Sequence, residues 1–313
     1  MEVMIMAVTA ALVKELRERT GAGMLDCKKA LTETDGNIEQ SIEVLREKGL
    51  AKAAKKAGRV AAEGMVAAKV SDDHKSAVLV EVNSETDFVA KNEKFQVYVG
   101  QVADQAMKTT AADIDAFLAE QWIADESKTV QDELNAQIAV IGEKLSIRRL
   151  EKVTIDNGVV ASYIHAGGKI GVLVEAETDV VNDDVQEALR NVAMQIAALP
   201  PVYLSRDEVD ADYIESEKNI LKQQAINENP DKPENIIDKM IIGRLNKQLK
   251  EVCLLDQTYV KDSDLTVQKY IDQVGKNAGT SITLKSYVRF ETGEGIEKKE
   301  ENFAEEVAKQ MQQ

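Results

Sequence analysis

The sequence of 313 residues predicts an α+β protein built from several modules, in which strands and helices alternate but the sheets are antiparallel. Residues 64–207 consist of short runs of β-branched residues followed by amphipathic segments. One motif of this kind, a strand pattern followed by a helix pattern, occurs twice. Possible hairpin turns at Asp72-Asp73 and Asp156-Asn157-Gly158 favour an antiparallel α+β core over a doubly wound parallel sheet. A polar segment at 208–252 with narrow apolar seams predicts an inserted helical hairpin.

Residues 1–55 predict an N-terminal module of three short helices. Apolar residues recur there at helical spacing in three stretches, which Gly21, Gly36 and Gly49 bring to an end. Up to Arg59 this region holds 11 of the chain's 39 basic residues and 9 of its 55 acidic ones, so it is weakly positive in a chain whose net charge is −16. A unit of this length buries little core, so we expect it to be marginally stable.

An alanine- and lysine-rich stretch follows this module, and we assign residues 56–63 to a linker. Its composition is typical of a mobile or weakly helical segment. A small module on such a tether usually binds a partner, and a purely structural role is the alternative.

The core is predicted to be a duplicated strand-strand-helix unit, with a first half at 64–145 and a second half at 146–207 and 253–290. Val78-Leu79-Val80-Glu81 recurs as Val172-Leu173-Val174-Glu175. The next phrase, Glu85-Thr86-Asp87-Phe88-Val89, recurs as Glu177-Thr178-Asp179-Val180-Val181. Each copy continues into a helical pattern of apolar residues. Strands are expected at 64–71, 77–83, 146–155, 158–165, 170–177 and 281–290, and a helix at 127–144.

The inserted hairpin is assigned to residues 208–252. Its two apolar seams are separated by Asn229-Pro230-Asp231-Lys232-Pro233, which breaks the helix between two antiparallel halves. The seams are too narrow to face a core on several sides, so we expect the hairpin to project from the body. The remaining segment, 291–313, is assigned to a C-terminal module whose amphipathic helix at 300–313 presents Phe303, Val307 and Met311.

The first copy of the repeated phrase contains a candidate partner-binding corner. The strand stops abruptly at Asn83-Ser84, and the following residues predict a tight turn into a helix with Thr86 or Asp87 as its N-cap. An aromatic side chain beside a carboxylate at such a corner can insert into a partner's pocket. The alternative is that Phe88 turns inward and packs against the next helix. Only the first copy keeps the aromatic residue, so only this corner is a candidate wedge.

Charge, cysteine content and hydropathy argue against several classes of protein. A net charge of −16 disfavours direct binding to nucleic-acid phosphates. Cys27 and Cys253 lie far apart without a CxxC motif, so neither a disulfide framework nor a zinc finger is indicated. No basic region precedes the apolar start, and the sequence has no run of about 18 apolar residues. We therefore expect a cytoplasmic protein without a membrane partner.

Covalent catalysis is not indicated by the sequence. His74 and His165 are the only histidines, and each is better explained as a surface or packing residue than as a general base. Nucleophile elbows and zinc-ligand motifs are missing from the sequence. Gly167-Gly168-Lys169-Ile170 lacks the earlier glycine and the following hydroxyl residue of a Walker loop, and predicts instead a tight turn beside which His165 protrudes. No metal or cofactor is expected.

Five strings of residues occur in a fixed order along the chain. They are the string from Arg17 to Leu31, Lys55-Lys56-Ala57-Gly58-Arg59, Thr86-Asp87-Phe88-Val89, Ile147-Arg148-Arg149, and the string from Arg289 to Glu297. Together they resemble the bacterial translation elongation factor Ts family over nearly the whole chain. The internal duplication and the helical hairpin also match the architecture of that family.

The resemblance implies a guanine-nucleotide exchange factor that promotes GDP release from elongation factor Tu in translation elongation, without bond chemistry. In the family, the motif that matches Thr86-Asp87-Phe88-Val89 intrudes near the magnesium ion bound to the nucleotide and helps to dislodge it, with the Phe88 side chain inserted. The resemblance further implies an N-terminal module similar to ubiquitin-associated domains, a coiled-coil hairpin and a C-terminal module. The first and last of these contact the partner's GTPase domain in the family.

The resemblance also implies a docking surface. Lys28 and its helix correspond to the family's GTPase-docking surface, and His165 corresponds to a residue near the partner's other domains. Val260 lies in Gln257-Thr258-Tyr259-Val260. The corresponding segment of the family usually contains Pro-Phe, so this chain differs from the family there. The full set of residues that the resemblance implies for docking is Leu12, Val13, Met24, Leu25, Lys28, Ile147, His165 and Val260.

An exchange factor must bind the nucleotide-free partner more tightly than the loaded one. A thousandfold faster release requires a barrier lower by about 4 kcal/mol. Burial of one Phe side chain supplies roughly 2–3 kcal/mol, and disturbed magnesium coordination could supply the rest. Two other classes stay open: a non-catalytic adaptor that docks through the N-terminal module and the hairpin, and a small-molecule enzyme, for which the sequence offers no convergent set of titratable groups.

Overall fold

The computed structural model describes residues 8–297 and confirms an α+β protein with small antiparallel sheets. The predicted helix at 300–313, and with it most of the predicted C-terminal module, lies outside these residues. The helices are α1 (Ala10–Thr20), α2 (Met24–Glu33), α3 (Ile38–Lys56), α4 (Asp87–Ala90), α5 (Glu93–Lys108), α6 (Ile114–Ala119), α7 (Val130–Ile141), α8 (Asp183–Ala198), α9 (Ala211–Glu228), α10 (Glu234–Val252) and α11 (Val267–Ala278).

The strands are β1 (Glu63–Val70), β2 (Ser76–Ser84), β3 (Gln121–Trp122), β4 (Asp125–Thr129), β5 (Ser146–Thr154), β6 (Val159–His165), β7 (Ile170–Glu177), β8 (Thr258–Tyr259), β9 (Asp262–Thr266) and β10 (Thr283–Glu291). All six strands that the sequence predicts are therefore present. They form two three-stranded sheets, in the orders β1-β2-β5 and β10-β7-β6, while β3-β4 and β8-β9 form short ribbons.

The chain forms two compact units. The first unit comprises residues up to Ala67, Val80–Leu150 and the segment from Glu291 onward, and the second comprises Ala68–Leu79 and Glu151–Phe290. The domain boundaries predicted from the sequence rest on its repeated motifs, whereas a compact unit is defined by contacts between segments that lie far apart along the chain.

Helices α1–α3 of the first unit enclose a small core of Val13, Leu16, Cys27, Ala30 and Leu31. Burial raises the pKa of the Cys27 thiol, so this cysteine acts as a packing residue. The alanine-rich run continues α3 to Lys56, the first residue of the segment assigned to the linker. Alanine and lysine both favour helix, and α3 also packs against α7, with Arg46 paired to Asp132 at 2.7 Å.

The core of the second unit lies between helix α8 and the sheet β10-β7-β6. Strands β6 and β7 are antiparallel from Val159 opposite Ala176 to His165 opposite Ile170. Apolar residues of both strands pack with α8, α11 and β10 into one buried cluster. The hairpin helices α9 and α10 pack along a separate seam whose buried members are Val209, Leu221, Ala225, Ile237, Ile241, Leu245, Leu249 and Cys253.

The internal duplication extends further than the sequence showed. In the first half, Gln105 of α5 accepts a hydrogen bond from Ile123 N at 2.8 Å and donates to the carbonyl of Gln121 in the ribbon β3-β4. In the second half, Gln195 of α8 accepts from Val260 N at 2.8 Å and donates to the carbonyl of Thr258 in the ribbon β8-β9. The repeat therefore includes a ribbon and the helix after it, α7 in one half and α11 in the other.

Candidate partner-binding site

The candidate site is built on the first corner, where β2 ends and the one-turn helix α4 begins. Thr86 has extended backbone angles, φ −125° and ψ 155°, and its hydroxyl oxygen accepts a hydrogen bond from Val89 N at 3.4 Å. Thr86 is therefore the N-cap, and Asp87 is the first helical residue. The Asp87 carboxylate instead pairs with Lys91 one turn later, at 2.6 Å. The sequence had left the choice of cap open.

Phe88 lies at the outer side of this turn. Its side chain is 80% exposed, the largest exposed fraction among the large apolar residues that the structure describes. Ala90, two residues later in the same turn, is buried. The inward packing of Phe88, which the sequence allowed, is not the arrangement found. An apolar ring exposed to this extent costs solvation free energy unless a partner covers it.

Two acidic residues hold the corner in place. Glu143, in the loop after α7, accepts hydrogen bonds from Thr86 N at 3.0 Å and from the Thr86 hydroxyl at 2.7 Å. Glu85 accepts from Lys144 N at 2.5 Å and pairs with Arg59 at 3.2 Å. Sequence reasoning missed Glu143 and Lys144, because no local pattern connects a loop at 142–144 with a corner 57 residues earlier.

A buried carboxylate lies on the strand that leads to the corner. Glu81 of β2 is fully buried and forms ion pairs with Arg148 at 3.1 Å and with Arg149 at 2.6 Å. It also accepts hydrogen bonds from Asn83 and from Gly293 N. Burial by itself would raise the pKa of Glu81, but the bonds from Gly293, Asn83 and Arg149 outweigh it and hold the pKa below the ordinary value of 4.5. This network ties the segment after β10 to the first sheet.

The predicted docking residues fall into exposed and buried groups. Met24 and Leu25, at the start of α2, are 60% and 73% exposed, and Lys28 is exposed one turn later. Leu12 is half-buried. Val13 and Ile147 are buried, and their docking role stays a prediction.

Two predicted docking residues belong to the second unit. His165 is exposed at the end of β6, where the turn Ala166-Gly167-Gly168 has positive φ at all three residues. The predicted protrusion of this histidine is therefore confirmed, and Nδ1 of its ring lies 2.9 Å from the Tyr163 hydroxyl. Val260 is 49% exposed at the tip of the ribbon β8-β9.

Within residues 8–297, no cluster of three or more His, Cys, Asp or Glu side chains has the arrangement of a metal site. The helices of this described part are all too short or too polar to cross a membrane. What the corner offers chemically is an apolar ring and a carboxylate on a short, braced turn, which suits insertion into another macromolecule.

The sequence is similar to those of known proteins over nearly its whole length. A family model described as Elongation factor TS matches residues 85–294. A protein of Clostridioides difficile strain 630 named Elongation factor Ts is 59% identical over 304 residues, covering 97% of this chain and 99% of that protein. Proteins with the same name from Clostridium botulinum strain Alaska E43 and Clostridium tetani are 56% and 52% identical, each over 97% of this chain and at least 99% of the relative.

Proposed function

Because the chain belongs to the elongation factor Ts family, we propose that it promotes GDP release from elongation factor Tu by inserting the corner Thr86-Asp87-Phe88-Val89 near the magnesium ion bound to the nucleotide. Membership of the family implies a nucleotide exchange factor in translation elongation, with elongation factor Tu as its partner. The observation that carries the finer proposal is the exposure of Phe88, 80%, on a turn that is capped and braced.

The physical basis is a difference in affinity between two states of the partner. Insertion of Phe88 is favourable only when the pocket it enters is open, and displacement of magnesium and nucleotide opens such a pocket. Phe88 would then bind the nucleotide-free partner more tightly, and by thermodynamic linkage GDP would weaken the binding of this protein to the same extent. No covalent bond is made or broken, so we assign no catalytic residue.

The modules would share this task. We assign residues 1–55 to a docking module similar to ubiquitin-associated domains, and 64–145 and 146–207 with 253–290 to the two halves of the core. The segment 208–252 would be a coiled-coil hairpin and 291–313 a C-terminal docking module. Met24, Leu25 and Lys28 form the exposed docking surface in the first unit, and His165 and Val260 supply contacts from the second. All of this would take place in the cytoplasm.

The direct test is the release of fluorescent GDP from purified elongation factor Tu, with and without this protein. Acceleration that saturates with protein concentration supports the proposal. Tight binding without acceleration would instead identify an adaptor that docks through the N-terminal module and the hairpin.

Substitution of Leu25 with serine tests the docking surface. Leu25 is 73% exposed, so the change removes partner contact with little loss of core packing. We expect the concentration for half-maximal GDP release to rise about tenfold, as for an interface residue that contributes about 1–2 kcal/mol, while the maximal rate is retained. Val97→Ser, which changes an apolar residue of α5 that is 56% exposed and belongs to no predicted docking surface, is the matched control. Equal effects of the two variants would remove α2 from the docking surface.

Deletion of residues 213–250, closed by a short flexible linker, tests the hairpin. The buried apolar residues of α9 and α10 pack mainly against each other, so the rest of the second unit is expected to fold. We expect the maximal rate of GDP release to persist and any loss to appear as weaker binding, because hairpin contacts do not change as GDP leaves. Circular dichroism checks folding. A folded variant with a collapsed maximal rate would place the hairpin in the exchange step.

A further inference from the structure

The duplicated core supplies an internal comparison for the loop that follows α7. Helices α7 and α11 are equivalent, and each is ended by a glycine in the left-handed region, Gly142 with φ 86° and Gly279 with φ 69°. The next residue is Glu143 in the first half and Thr280 in the second. Both residues contact the threonine of the repeated phrase, Thr86 or Thr178. The two halves thus place the same loop against the same corner.

The chemistry of the contact differs between the halves. Glu143 accepts from both the amide and the hydroxyl of Thr86, at 3.0 and 2.7 Å, and hydrogen bonds to a carboxylate are stronger than neutral ones. Thr280 shares one hydroxyl–hydroxyl contact of 3.3 Å with Thr178. Since the Thr86 hydroxyl gives its proton to Glu143, its oxygen is left facing Val89 N, the N–H that it caps.

The backbone after the threonine also differs between the two halves. After Thr86 the chain enters the one-turn helix α4, which carries Phe88. After Thr178 the described residues stay outside any helix until α8 begins at Asp183. The half that contains the carboxylate is therefore the half that forms the helical turn and carries the exposed aromatic ring.

Further contacts brace the same loop. The Lys56 ammonium donates to the Gly142 carbonyl at 2.6 Å, and the Lys144 ammonium donates to the Arg59 carbonyl at 2.8 Å. Through these bonds the loop at 142–144 connects the corner with the end of α3. These contacts are all polar. They fix the position of the loop at 142–144 and of the corner, and they bury no additional apolar side chain.

We propose that Glu143 is a positioning residue for the exchange reaction, which holds Thr86 so that Phe88 is presented on a preformed turn. The proposal rests on the proposed function of the corner. Its physical basis is preorganisation: a turn that is already ordered loses less conformational entropy when it inserts, and a small misplacement of an inserted group costs much of its effect. Glu143 itself need not touch the partner.

The test compares Glu143→Thr, which introduces the residue of the second half, with Thr280→Ala, which removes the equivalent contact there. Two measurements are made on each variant: amide hydrogen exchange of residues 85–91 in the free protein, and the maximal rate of GDP release from elongation factor Tu. For Glu143→Thr we expect amide exchange at the corner to accelerate and the maximal rate to fall, each about tenfold. Thr280→Ala should change neither.

A second variant shows whether Glu143 acts through Phe88. In the background of Phe88→Ala, the additional change Glu143→Thr should slow GDP release no further, because the group that Glu143 positions is already gone. Additive losses would overturn the proposal, and so would unchanged amide exchange at the corner or an unchanged maximal rate in the single variant. If the wild-type protein fails to accelerate GDP release, the proposed function is wrong, and amide exchange still decides whether Glu143 holds the corner.

Discussion

Replacement of Phe88 with alanine is expected to slow stimulated GDP release from elongation factor Tu at least about tenfold at saturating concentration. A buried Phe side chain contributes roughly 2–3 kcal/mol, and loss of about 1.4 kcal/mol from the barrier difference is enough for a factor of ten. The side chain is 80% exposed in the free protein, so thermal stability should change little. The measurement is the maximal rate of fluorescent GDP release, with a melting curve for each variant.

Val97→Ala is the matched control for this change. Val97 is an apolar residue of α5 in the same unit and is 56% exposed, but it lies outside the corner. Its truncation should leave both the rate and the melting temperature close to those of the wild-type protein. A Phe88→Ala protein that melts much earlier but keeps full activity per folded molecule would show that Phe88 is a packing residue and not a wedge.

Glu81→Gln is expected to have the largest effect on stability. The change removes the charge that compensates Arg148 and Arg149 and replaces one acceptor oxygen by a donor that faces other donors. Loss of one partner of a fully buried ion pair costs about 3–5 kcal/mol, and we expect about 2–3 kcal/mol here because the arginine side chains are 28% and 30% exposed. Urea unfolding followed by circular dichroism measures the loss.

The loss should depend on pH in a defined direction. The pKa of Glu81 is lower in the folded protein than its ordinary value of 4.5, so its ionised form stabilises the fold above that value. This contribution disappears as the pH falls below about 4.5 toward the folded pKa. The difference in stability between wild type and Glu81→Gln should therefore be full at neutral pH and shrink in acid.

The duplication also supplies the control for Glu81. Glu175 occupies the equivalent position in β7, is half-buried, and accepts a hydrogen bond from the Ser286 hydroxyl. Among the described residues it forms no ion pair, so Glu175→Gln should cost much less. Equal losses in the two variants, or a loss for Glu81→Gln that is independent of pH, would contradict the assigned role of the ion-pair network.

The sequence predicted the strands and the hairpin helices well, because each carries its own periodicity. The strand expected at 170–177 is β7, and the break at Asn229–Pro233 separates α9 from α10. The helix expected at 127–144 is α7, which is shorter because Thr129 caps its start and Gly142 ends it. The predicted domain boundaries stay a prediction, since compact units depend on contacts between segments that lie far apart along the chain.

The candidate site was predicted in part. The corner itself was identified from a strand that stops before a capping residue. Of the two predicted arrangements of Phe88, exposed or packed inward, the structure has the exposed one. Its supports at Glu143 and Arg59 were not identified, because a half-buried glutamate in a loop has no local signature. Val13 and Ile147 were placed on the docking surface by resemblance alone; both are buried, and their docking role stays a prediction.

Helix α4 contains four residues, and a single helical turn has no stability of its own in water. Its shape is supplied by Glu143, by the buried Ala90 and by the strand before it. The shape of Thr86-Asp87-Phe88-Val89 consequently depends on residues outside the motif, so the proposed wedge would be a conformational epitope and not a linear one. A short peptide with the same sequence would lack the turn, and transfer of the proposed wedge to another protein would require transfer of the surrounding scaffold as well.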